Sequence, residues 1–126
     1  MLQYPAEYEE FSLLVKRHVV YTLILRVLPG DRQIIEHAAP RLMRGYLSAL
    51  SEAEAPIEQA LRQVRLRMRD IGGRILEERQ EAHARVVTAH FRGFTYTHRY
   101  MNKILVAECE KTVKLFLNGG SRAYQI

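Results

Sequence analysis

The chain has 126 residues, enough for one domain and too few for two of ordinary size. Hydrophobic residues make up 48% and charged residues 26%, which excludes a disordered chain, and the single cysteine excludes a disulfide scaffold. The net charge of +5, from 19 basic and 14 acidic residues, permits an acidic partner without requiring one.

The first ten residues carry Glu7, Glu9 and Glu10 and no basic side chain, the reverse of a secretory signal. The most apolar stretch, Val19–Leu28, includes Arg26 and is only ten residues long. A spanning helix needs roughly 20. These features predict a cytoplasmic protein with no membrane contact.

A first helix is expected from Pro5 to Leu28, with Tyr8, Phe11, Val15, Val19 and Leu23 on one stripe. Leu13, Leu14, Val20, Ile24, Leu25 and Val27 widen the stripe until the helix is apolar on most sides, so it is either central or covered by another chain. The β-branched run Val19–Thr22 admits a strand as the alternative. Pro29-Gly30 should end this helix, with Asp31 capping a second over Arg32–Leu50 that splits or kinks at Pro40. Ser51-Glu52-Ala53-Glu54 reads as a capped turn, with Pro56 near the first turn of a third helix.

The third segment is the most regular. Ile57, Leu61, Val64, Met68, Ile71 and Ile75 alternate by four and three, a heptad seam that predicts a protein interface. Unbroken from Ala55 to Arg92, this helix would be about 57 Å long against about 36 Å for the first. Either Gly72-Gly73 breaks it or a second subunit covers the overhang. Gly93 would cap it and Thr95 or Thr97 would start a last helix using Met101, Ile104, Leu105, Cys109, Thr112, Val113 and Phe116. The expected fold is all-α, a bundle of four or five helices: a single domain over residues 5–118, then a short tail over 119–126.

Few residues carry recognisable chemistry. No glutamate has a histidine three residues on, so a carboxylate-bridged metal bundle is not expected. His83 and His90, seven apart, would share a helix face as two polar surface residues or half a metal site. Histidine phosphotransfer bundles have this length and class, but His90-Phe91-Arg92-Gly93 is one residue short of their histidine-to-glycine frame. Cys109 lies between Glu108 and Glu110, which oppose a thiolate. Gly119-Gly120-Ser121 lacks the following helix that a phosphate cradle needs. No enzyme, cofactor, metal or small-molecule substrate is expected.

The basic signal is stronger. Arg62, Arg65 and Arg69 share one helix face, the footprint of a nucleic-acid binder, and arginine suits bidentate phosphate contacts. Against it stand the i,i+4 pairs Glu58–Arg62, Asp70–Arg74 and Glu81–Arg85, which describe an ordinary salt-bridged surface. Around Phe91–Tyr100, aromatic rings interleave with Arg92 and Arg99, and this cluster either closes a helix corner or grips a partner.

The sequence therefore predicts a non-enzymatic helical binding protein (a regulator, adaptor or assembly factor). It would form a homodimer or bind another protein through helix–helix recognition. The alternatives are a nucleic-acid-binding regulator using Arg62, Arg65, Arg69, Arg92, Tyr96, Arg99 and Tyr100, and a histidine phosphotransfer bundle.

Overall fold

Where the heptad pattern predicts the second half of a long helix, the chain forms a sheet. A computed structural model describes residues 4–38 and 44–117, with side chains at 4–28 and 51–117. Its elements run α1 (Tyr8–Ala38), α2 (Arg44–Asp70), β1 (Gly73–Gln80), β2 (Ala84–Phe91), β3 (Phe94–Met101) and α3 (Asn102–Leu117). The expected all-α bundle is thus corrected to an α+β fold: three helices and an antiparallel sheet of order β1-β2-β3.

The predicted 55–92 helix ends at Asp70 because Gly72, at φ 87°, takes the left-handed conformation that stops a helix. Ile75, the last seam residue, is a strand residue paired with Ala89. Its spacing continues the heptad only by coincidence, since a single apolar position fits either period. Gly93 is not a helix cap. Arg92 and Gly93, at φ 48° and 89°, form a two-residue hairpin turn whose flanking pair is Phe91 and Phe94. Thr95 and Thr97 lie inside β3, where β-branched and aromatic residues suit a pleated surface.

Two expected helix boundaries are also absent. α1 continues through Pro29-Gly30, merging the first predicted helix with the start of the second, and α2 continues through Ser51–Glu54 and Pro56. A proline forfeits one donor while its φ is already helical, so a long buried stripe on the same helix can outweigh it. Pro40 and the 119–126 tail lie outside the described residues. The run Val19–Thr22 is helical, with the Thr22 hydroxyl donating to the His18 carbonyl oxygen at 2.8 Å.

The apolar width of α1 reflects a central position. Phe11, Val15 and Val19 are fully buried, and the core they belong to draws on both other helices and on β2. The seam residues Ile57, Leu61, Val64, Met68 and Ile71 point into this same core. Strand alternation divides the sheet. Val87, Ala89 and Phe91 face the helices, and Phe91 stacks on Phe11 with ring centroids 4.5 Å apart. The opposite face carries Arg74, Arg79, Thr88, His90, Thr95, Thr97 and Arg99, with Val86 buried between Arg79 and Arg99.

Candidate functional site

The fold separates the arginines from 62 to 99 into those paired with carboxylates and those left unpaired. Arg67, on α2, grips the start of α1: its Nη2 lies 3.1 Å from Glu7 and 2.8 Å from Glu10. The bond from Arg67 holds the Glu10 carboxyl below its usual range. Arg92, at the β2–β3 turn, donates to the carbonyls of Ile71 and Ala6, each at 2.9 Å, and to Glu7 at 2.6 Å. Glu7 therefore joins α1, α2 and the hairpin tip. On the outer face, Arg99 and Arg79 both pair with Glu81, at 2.6 and 3.2 Å. Arg85 is buried and pairs with Glu78 at 3.4 Å.

The remaining arginines are Arg62, Arg65, Arg69 and Arg74. Arg62 bonds only the neutral Gln59, and among the described residues none of the four pairs with a carboxylate. This overturns the expected i,i+4 pairs. Arg74 and Arg85 are strand residues, and Glu81 is committed to Arg79 and Arg99. The α2 face bearing Arg62, Arg65 and Arg69 is exposed, with Leu66 among them, 51% exposed.

A second cluster lies inside. Glu78, Val87 and His98 form one row of the sheet's inner face, and Gln80, Arg85 and Tyr100 form the next. The ring of His98 stacks 6.2 Å from that of Tyr100, while Glu78 lies near His18 of α1. Among the described residues, His18 Nδ1, His98 Nε2 and the Tyr100 hydroxyl are buried without a hydrogen-bond partner. Burial raises the Tyr100 hydroxyl, with smaller contributions from Tyr8 and Glu78. Burial likewise pushes both histidines down. Glu78 partly opposes this at His18, and Arg65 reinforces it.

A histidine whose folded pKa is depressed stabilises the fold above its unfolded value and loses that contribution as pH falls below about 6.5. Unfolding measured between pH 7 and 5 should therefore show a stability decline that His18→Leu and His98→Leu each flatten. An unaltered slope in both variants would assign the decline to other groups.

The sequence-derived residues are dispersed by this geometry. The seam occupies the chain's own interior, apart from half-buried Ile75 on β1. Tyr96 and Tyr100 lie on the inner sheet face, packed against the core, so the aromatic cluster is a strand and not a helix corner. Its exposed ring is Phe94, at 58%. Arg92 and Arg99 are engaged as described, which leaves Arg62, Arg65 and Arg69 together.

His83 and His90 are not paired on a helix: one sits in the β1–β2 loop and the other near the far end of β2. His90 being a strand residue also removes the helical frame of a phosphotransfer bundle. Among the described residues, no three His, Cys, Asp or Glu side chains group to hold a metal ion. The Cys109 thiol is raised by burial and by Glu108. No helix among the described residues is long and apolar enough to cross a membrane.

The inner polar cluster is not legible on a helical reading, which puts Glu78 and Arg85 two turns apart on one helix and His98 on another; strand register makes them neighbours. The available signal was the two-residue alternation of Phe94, Tyr96, His98 and Tyr100 against Thr95, Thr97 and Arg99.

These features define an α+β protein with a helical core, a three-stranded antiparallel sheet, and arginine–carboxylate clasps between its layers. Residues 5–121 match the YhjD protein family, and the chain belongs to that family. No curated protein and no solved structure matches it.

Proposed function

We propose that the protein acts by binding, without catalysis, and that its recognition surface is the exposed flank of α2 carrying Arg62, Arg65, Leu66 and Arg69. One observation carries this reading. Arg67, Arg79, Arg85, Arg92 and Arg99 are consumed by carboxylates within the chain, while these three α2 arginines keep uncompensated charge on one helix face. Leu66 among them favours a protein partner, an acidic surface or helix offering an apolar contact between its carboxylates. We place the protein in the cytoplasm, consistent with its free thiol at Cys109.

Nucleic acid is the second reading, supported by the same arginines without the aromatic platform, since Tyr96 and Tyr100 pack against the core. One comparison separates the two. Tagged full-length protein and its Arg65→Glu/Arg69→Glu variant are used to capture partners from lysate with and without nuclease. Labelled duplex DNA and single-stranded RNA are titrated in parallel.

Proteins held by the natural chain, lost with the variant and indifferent to nuclease support the protein-binding reading. Three arginine–phosphate contacts would instead weaken binding roughly 40-fold over a fourfold rise in salt. Such a salt dependence in the titration, with nuclease-sensitive capture, establishes the nucleic-acid reading. Identical capture by chain and variant clears the α2 flank of either role.

A further inference from the structure

We infer that the free edge of β3 pairs with the same edge of a second copy of this chain, joining two sheets into one of six strands. The surface is separate from the α2 flank. Phe91 and Phe94 flank a two-residue turn and so exchange both of their backbone hydrogen bonds. Counting along the ladder, Phe94, Tyr96, His98 and Tyr100 turn their backbone groups toward β2, while Thr95, Thr97, Arg99 and Met101 turn theirs outward. The Asn102 amide, bonded to the His83 carbonyl at 2.9 Å, keeps the same alternation. Among the described residues, nothing pairs with the outward groups of Thr95, Thr97 and Arg99, whereas the Met101 carbonyl belongs to the first turn of α3.

The two edges of the sheet are built differently. β1 has its register broken between Ile75 and Glu77 and carries Arg74, Glu77, Glu78 and Arg79, all devices that discourage edge pairing. β3 pairs in continuous register, contains no proline, and has one arginine or carboxylate side chain, Arg99, already neutralised by Glu81. Its threonines and aromatics are strong strand formers.

The edge is also self-complementary. A two-fold axis through Thr97, perpendicular to the sheet, keeps the inner faces of both copies on one side. It sets Thr95 against Arg99 of the second copy, so no like charges meet. It also sets Phe94 against Tyr100 and Tyr96 against His98 of the second copy, ring pairs that favour antiparallel neighbours. Phe94, at 58%, and Met101, at 48%, are exposed apolar side chains, and this register brings the ends that carry them together.

Light scattering on the full chain over a wide concentration range, with amide exchange on the same sample, tests the pairing. The expected result is twice the 14.7 kDa chain mass, with the Thr95, Thr97 and Arg99 amides protected like that of Tyr96. Thr97→Lys places like charges on the axis, and Thr97→Pro removes an outward amide without touching the β2 ladder. Either variant, folded by circular dichroism, should return to the single-chain mass. A single-chain mass at every concentration, rapid exchange of the three amides in a dimer, or a folded variant that stays dimeric would each overturn the inference.

Discussion

Gly73→Ala should destabilise the fold by about 3 kcal/mol, a fall of roughly 10 °C in the unfolding midpoint. Gly73 opens β1 directly over the ring of Phe11, and a methyl group there would overlap the ring's Cε1 and Cδ1 atoms. Phe11 cannot withdraw, being fully buried and stacked on Phe91 with the ring planes 11° apart. The check is a double-mutant cycle. Phe11→Ala alone should cost about 3–5 kcal/mol through the cavity it leaves. In that background the Gly73→Ala penalty should shrink to under about 1 kcal/mol, because the two residues compete for one space. Additive penalties in chemical denaturation would contradict the steric account.

Arg92→Ala should cost about 2 kcal/mol, which is large for a residue whose side chain is 35% exposed. Its guanidinium ties the end of α2 through Ile71, the start of α1 through Ala6 and Glu7, and thereby the hairpin tip to both. Its backbone contributes separately, since φ 48° is strained for alanine and comfortable for asparagine. Arg92→Asn should therefore be less damaging than Arg92→Ala by about 1 kcal/mol, yet still less stable than the natural chain. The gap between the variants reads the turn, and because arginine and alanine are equally strained at this φ, the alanine loss reads the clasp. An alanine variant as stable as the natural chain would show that the clasp adds nothing.

Both predictions concern the junction of sheet and helices, the part of the molecule least legible in the sequence. The helical stripes were legible. Phe11, Val15 and Val19 on α1 and Ile57, Leu61, Val64 and Met68 on α2 are buried as their spacing requires. On α3, Leu105, Thr112 and Phe116 fit the pattern, whereas Ile104 is exposed; Met101, expected in the same helix, ends β3 and is exposed too. The strands resemble helix in sequence because the seam runs on into Ile75 and the rings from Phe91 to Tyr100 suit a corner between helices. Of the glycine signals, Gly72 breaks the helix, whereas Gly93, expected as a helix cap, turns the hairpin, and α1 continues through Gly30.

Helix faces are decided within one segment, because a 3.6-residue period and the aversion of apolar side chains to water act on neighbours four residues apart. That is why the buried face of α2 could be read from its own residues. Which partner covers that face is not local information, and the seam proved to be this chain's own core. Whether residues 73–101 become strands depends on pairing across the sheet and on Phe11 offering Phe91 a surface to bury. The arginines depend on the fold in the same way. In sequence, Arg65 and Arg69 share a helix face and Arg67 lies off it, but nothing local says what either side meets. Only the fold carries Arg67 to Glu7 and Glu10, 60 and 57 residues away, so tertiary structure decides that it is a clasp while Arg65 and Arg69 meet no carboxylate among the described residues.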